Sequence, residues 1–196
     1  MSFFVIIILI ANVYVSRKGF REISFFQKYV LKIKAIQQGE YYRLISSSFL
    51  HVDTNHLLFN MLTLFFFGDY VVSYFGGLLF WFIYLASVLS GSLYGVYYNR
   101  DKSHYTAAGA SGGVVGVLFS ALLAFPEMKL GFLFFPIPIP GYLFVILYLA
   151  YTVYGMKSQR DQIGHSAHLG GAIGGVLTSL IISPGLLSQW FGQVPL

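Results

Sequence analysis

Three short stretches carry side chains capable of chemistry within an otherwise apolar sequence. The first is Gly109-Ala110-Ser111-Gly112-Gly113. Glycines beside a serine leave its hydroxyl uncrowded, and a helix start supplies N–H groups that lack an intrahelical acceptor. The spacing also fits the G-x-S-x-G nucleophile elbow, but that turn needs a preceding strand and none is available here. A helix N-cap is the plainer role for such a serine. The second stretch is Ala167-His168-Leu169-Gly170-Gly171, continuing to Gly174-Gly175. Gly171 and Gly175 follow His168 by three and seven residues, so they share nearly one helix face. Small residues at that spacing let helices approach closely. Gly109, Gly112, Gly113 and Gly116 offer a matching surface, and packing the two together would bring His168 within reach of Ser111. A core histidine bonded to a backbone carbonyl is the alternative. The third stretch, His56-Leu57-Leu58-Phe59-Asn60, sets an imidazole and an amide four residues apart on one helix side. Both are hydrogen-bond donors, and polar glue between helices is their alternative role.

Together these parts suit acyl transfer: a hydroxyl nucleophile, an imidazole base, and donors for an oxyanion. A metal site competes for the histidines, yet the H-E-x-x-H arrangement of zinc proteases is missing and acidic residues nearby are few. With no cysteine in the chain, thiolate ligands, disulfides and cysteine nucleophiles are excluded. No cofactor and no metal are expected. Asp53 and Asp161 both lie in loops, so a Ser–His dyad fits better than a triad.

The elements that must position these groups are membrane helices. Of the 196 residues, 57% are hydrophobic and 10% charged, where a soluble domain carries about 25% charged residues. Fifteen tyrosines and twenty phenylalanines suit lipid contact and interfacial anchoring. The net charge of +5 points to anionic lipid headgroups; nucleic-acid motifs are absent and no nucleic-acid partner is expected. Six apolar segments can be drawn, at roughly 2–16, His56–Phe75, Leu78–Tyr98, Ser111–Phe125, Tyr142–Met156 and Gly164–Ser183. The first is a retained transmembrane helix, because it lacks the basic start and cleavage site of a signal peptide. The fourth and fifth are short for a span, so they are expected to start inside the membrane. Between them Pro136, Pro138 and Pro140 rule out a continuous helix. Lipid leaves backbone groups no outside partner, so helices and not isolated strands are expected. Residues 1–196 read as one domain. In the long first connection, Phe26, Tyr29, Val30 and Ile33 fall at the spacing of an amphipathic interfacial helix, with an ordinary packed loop helix as the alternative.

The order H-x-x-x-N in the second segment, G-x-S-G opening the fourth and A-H-x-x-G-x-x-x-G in the sixth resembles the rhomboid intramembrane serine proteases, from Tyr42 to Gly175. The resemblance implies an all-α, six-transmembrane-helix rhomboid bundle with a long, partly submerged first loop. It implies Ser111 as nucleophile and His168 as general base. His56, Asn60 and the Ser111 backbone N–H would line the oxyanion hole, with Gly109, Gly112, Gly171 and Gly175 as helix-packing support. His51 matches a structurally packed loop histidine, and Tyr42-Arg43 the family's Trp-Arg pair. Two positions depart from the pattern. Val115 replaces a tyrosine that stacks on the catalytic histidine, so that ring must be held by other packing. Val72 stands where many members carry glutamate, and Asp69 is a candidate substitute.

The implied reaction is hydrolysis of peptide bonds in or near transmembrane segments of membrane proteins, with the bilayer and such substrates as partners. Loops Asn99–Ala108 and Lys157–Gly164 would rim a water cavity, and the proline-loosened fifth segment would be a substrate gate. The alternative is a catalytically inactive rhomboid-like protein that binds membrane helices. The resemblance places the chain in a bacterial plasma membrane, with the site on the extracytoplasmic side and both termini in the cytoplasm. Charge counting gives the opposite orientation: Arg17, Lys18, Arg21, Lys28, Lys32, Lys34, Arg43, Arg100, Lys102, Lys157 and Arg160 share one side, and Lys129 alone holds the other.

Overall fold

The computed structural model of the chain describes residues 1–132, 135–158 and 163–193. The first helix, α1, covers Phe3–Arg21; it starts where Ser2 Oγ accepts from the Phe4 N–H at 3.3 Å. Lys18 and Arg21 in its last turn complement the negative end of the helix dipole. The first loop then holds α2 (Ile23–Tyr29), β1 (Leu31–Lys32), α3 (Ile33–Gln37), α4 (Arg43–Ser46) and a 3-10 turn over Ser47–Phe49. Helix α5 (Thr54–Phe75) is capped by Asp53, which accepts from the His56 N–H at 2.7 Å. There follow α6 (Gly77–Tyr98), β2 (Thr106–Ala107), α7 (Ser111–Ala124), β3 (Lys129–Phe132), β4 (Phe135–Pro140), α8 (Gly141–Ser158), α9 (His165–Ile182) and α10 (Leu186–Gln193).

The six apolar segments are thus helices, and the chain is a mainly helical, polytopic membrane bundle. Four helices, α1, α5, α6 and α9, are long and apolar enough to cross a membrane. The expected count of six is not met on that criterion among the described residues. Helix α7 has only 14 residues, about 21 Å at 1.5 Å per residue. Helix α8 is diluted by Tyr142, Tyr148, Tyr151, Tyr154 and Lys157.

Helix α7 is the axle of the bundle. Every residue from Gly112 to Ala124 is buried. Val114, Val117 and Ala121 pack with Leu64, Ile83, Tyr84 and Val88 of α5 and α6. Val115, Leu118, Phe119 and Leu122 meet Phe144, Val145, Tyr148 and Leu149 of α8. The outer faces are apolar instead of polar, with Ile10, Phe59, Phe66, Phe82, Ile146 and Ile181 exposed. Such a surface matches lipid. Among the polar groups inside, Trp81 Nε1 donates to the Phe4 carbonyl at 2.9 Å and Ser90 Oγ to that of Gly170 at 2.8 Å, as hydrocarbon favours.

Two expectations are corrected. The all-α reading omits two small antiparallel ladders. In one, Leu31 pairs with Ala107 and Lys32 with Thr106; in the other, Lys129 pairs with Pro140 and Leu130 with Ile139. Alternating prolines suit β4, because their missing N–H groups all fall on one edge of the strand. The single amphipathic helix through Phe26 and Ile33 is broken at Val30. Burial of Val30, Leu31 and Ile33, each no more than 3% exposed, together with the ladder to Ala107, wins over helical periodicity. Helix α10 was not anticipated; Tyr74 of α5 donates to Gln189 Oε1 at 3.2 Å.

Candidate active site

Ser111 opens α7 and is the only residue of that helix that is not buried. His168 stands in the first turn of α9 and is likewise half-buried. The two turns are joined at glycines. A Cβ on Gly171 would overlap the carbonyl of Gly112, and one on Gly175 would lie 2.7 Å from the Gly116 Cα. Gly91 of α6 closes the junction: a Cβ there would sit 2.7 Å from the Ala167 carbonyl oxygen and 3.3 Å from the Gly112 Cα. Three backbones therefore meet directly beside Ser111.

His56 comes to the same place from α5. Its ring lies against Gly109, where a Cβ would fall 2.5 Å from Cε1 and 2.8 Å from Nε2. Gly109 also has φ +146°, a conformation that side chains disfavour, so glycine is required there twice over. Asn60, one turn along α5, is buried and donates from Nδ2 to the His56 carbonyl at 2.9 Å. An amide nitrogen carries two protons, so a second donor remains at Asn60.

His51 holds the backbone just before Ser111. The Ala110 N–H donates to His51 Nε2 at 3.3 Å, and the Gly109 N–H to the Ser47 carbonyl at 3.1 Å. Ser16 Oγ donates its one proton to the Phe49 carbonyl at 2.9 Å and lies 2.8 Å from His51 Nδ1. It must therefore accept from Nδ1–H, which makes His51 the neutral Nδ1–H tautomer. Burial pushes the His51 pKa down to about 3, in keeping with a neutral ring. The His51 and His56 rings meet edge-to-face, 5.0 Å between centroids.

On the other side of the site is a residue that sequence reading missed. Tyr148 of α8 has its hydroxyl 3.0 Å from His168 Nδ1 and its ring stacked on the imidazole, 6.3 Å away at 25°. It occupies the role left open by Val115, which is buried among apolar neighbours. Its only signal in the sequence was an aromatic in the middle of the fifth apolar segment.

The remaining residues of interest lie further out. Arg43 is buried and donates to the Val30 carbonyl at 2.7 Å and to that of Gln27 at 3.2 Å. It also pairs with Glu40 at 2.7 Å. The Tyr42 hydroxyl and the Arg43 guanidinium together hold the Glu40 carboxyl below its ordinary pKa. Asp69 accepts from the Ser2 N–H at 2.7 Å, which places it with the start of α1, far from the site. Of the expected rim, Asn99 is buried and donates to Ser166 Oγ at 3.3 Å. Arg160 and Asp161, in the second rim loop, lie outside the described residues. Among the described residues no group of three or more histidine or acidic side chains could hold a metal.

Residues 38–185 match the rhomboid domain family model. The chain is 29% identical over 182 residues to RHOMBOID-like protein 12, mitochondrial, of Arabidopsis thaliana, covering 85% of this chain and 54% of that protein. It is 32% identical over 168 residues to Rhomboid protein 1, mitochondrial, of Saccharomyces cerevisiae, covering 84% and 48%. It is 35% identical over 141 residues to Rhomboid protease GluP of Bacillus subtilis, covering 71% and 26%. The chain therefore spans about half the length, or less, of these relatives. Two of the three are named as mitochondrial, so they lend no support to the expected bacterial plasma membrane.

Proposed function

The chain belongs to the rhomboid family, and from that premise we propose that it is an intramembrane serine endopeptidase acting on transmembrane segments of other membrane proteins. The observation that carries this reading is the glycine junction. It sets the first turns of α7 and α9 backbone to backbone, so Ser111 and His168 leave adjoining helices at the one point where α7 is open to solvent.

In the proposed reaction His168 Nε2 takes the Ser111 Oγ proton as Oγ attacks the scissile carbonyl. The negative charge that develops on the carbonyl oxygen is met by the Ser111 N–H, the second N–H of Asn60 and the His56 ring. His168 then passes the proton to the leaving amine. Water repeats the sequence on the acyl-enzyme and frees Ser111. Helices α7 and α8 complete a six-helix reading of the bundle, with α7 beginning inside the bilayer. The site lies at the His56 end of α5, whereas Ser2 and Gln189 bond to Asp69 and Tyr74 at the other end. Both ends of the described chain thus lie opposite the site, and we place the site on the extracytoplasmic side.

The deciding experiment labels purified protein with a fluorophosphonate, wild type beside Ser111→Ala, with cleavage of a single-span substrate measured in parallel. Labelling and cleavage that vanish in the variant support the protease. A wild type that binds membrane helices without either would favour the inactive rhomboid-like alternative.

A further inference from the structure

Beyond the dyad, and resting on that reading of the site, we infer that Tyr148 is a positioning residue that fixes the tautomer of His168. A histidine can take a proton from Ser111 only through a nitrogen that carries a lone pair. In a triad, a carboxylate on the other nitrogen holds the N–H there. At His168 the group 3.0 Å from Nδ1 is the Tyr148 hydroxyl.

A phenol can either donate to Nδ1 or accept from it, and the two cases have opposite consequences. If Tyr148 donated, Nε2 would carry the proton and His168 would be no base toward Ser111. If Tyr148 accepts from Nδ1–H, the lone pair is on Nε2, the nitrogen a base for Ser111 must use. The phenol proton then needs another acceptor. Thr152 supplies one. It lies one helical turn along α8 from Tyr148, a spacing at which side chains meet, and it is completely buried. Its Oγ1 has no hydrogen-bond partner among the described residues. A buried hydroxyl without a partner is destabilising, and the Tyr148 proton would satisfy it. The order Thr152, Tyr148, His168, each accepting from the next, sets Nδ1–H and leaves Nε2 for catalysis. Phe119 at 5.6 Å edge-to-face and Phe144 at 5.6 Å stacked fix the plane of the phenol ring.

The test uses the full chain in detergent or vesicles with two variants, Tyr148→Phe and Thr152→Val. Tyr148→Phe keeps the ring stack and removes only the hydroxyl. Its kcat on a single-span substrate should fall at least about tenfold, with KM within about twofold and melting temperature unchanged. Nitrogen-15 spectra of the histidine ring should move from the Nδ1–H form toward a mixture. In Thr152→Val the phenol loses its acceptor and turns its proton to Nδ1, so kcat falls and the Nε2–H form grows. A packing role alone would leave the ring spectrum of Tyr148→Phe unmoved. Wild-type kcat and an unchanged spectrum in Tyr148→Phe would overturn the assignment while Ser111 labelling stood, and so would an Nε2–H wild type. If wild type and Ser111→Ala were equally inert toward substrate and fluorophosphonate, the protease reading itself would fall, and the positioning role with it.

Discussion

The backbone N–H of Ala110 donates to His51 Nε2 across 3.3 Å, tying the residue before Ser111 to the first loop. Ser16 of α1 completes the tie through Nδ1. One neutral imidazole thus joins α1, the loop and the start of α7.

That imidazole makes the protein acid-sensitive in a defined range. The His51 pKa is about 3 in the folded chain and about 6.5 when unfolded. Between those values the unfolded chain binds a proton that the folded one refuses, so stability falls as pH drops below about 6.5, by at most about 1.4 kcal/mol per pH unit. Charging the ring would also put a proton on Nε2 and remove the acceptor for Ala110. Melting temperatures between pH 7.5 and pH 5 should decline in wild type and decline less in His51→Gln. Parallel curves for the two proteins would contradict this.

Gly171→Val should abolish activity. The new side chain would be driven into the Gly112 carbonyl, and backbone cannot swing aside as a flexible side chain can. Overpacking in a tight core costs about 1–3 kcal/mol and occasionally more. Here the upper end is expected, with a lowered melting temperature and no Ser111 labelling. Full activity would disprove the close approach of α7 and α9.

Gly109→Ala combines a disfavoured φ with a contact on His56. The strain is worth about 1–3 kcal/mol. Since His56 must move, kcat should fall further than the loss of stability explains, as seen by comparing turnover with melting on the same sample.

In the proposed reaction Asn60→Ala removes one oxyanion donor, an effect of about 2.7–4 kcal/mol in serine hydrolases. Turnover should drop about 10²–10³-fold with KM little changed. Wild-type turnover would take Asn60 out of the site.

Helix positions could be read from the sequence because lipid makes one demand of every span, and hydropathy records it directly. The six apolar segments agree with α1 and α5 to α9 to within about five residues at either end. Glycine spacing likewise pointed to the α7 and α9 faces, since a missing side chain is visible in the sequence. What escaped depends on partners distant along the chain. Leu31 is extended because Ala107 is beside it, and nothing near Leu31 says so. Tyr148 looked like one more interfacial aromatic. Its meaning comes from His168, twenty residues away. Asp69, a candidate substitute for the glutamate that many members carry at the Val72 position, receives the start of α1, a partner that helical register alone does not name.

The shortness of α7 has its own consequence. Its far end is pinned where Phe125 lies between Tyr70 and Tyr74, at 5.5 and 5.9 Å, and its fourteen residues fall about 9 Å short of a 30 Å hydrocarbon layer. The depth of Ser111 is therefore gauged in whole residues. One residue inserted between Gly116 and Phe125 would raise Ser111 by about 1.5 Å and rotate it by about 100°. Insertions of the kind loops absorb freely are closed to this helix, and evolution can retune the well only from its walls.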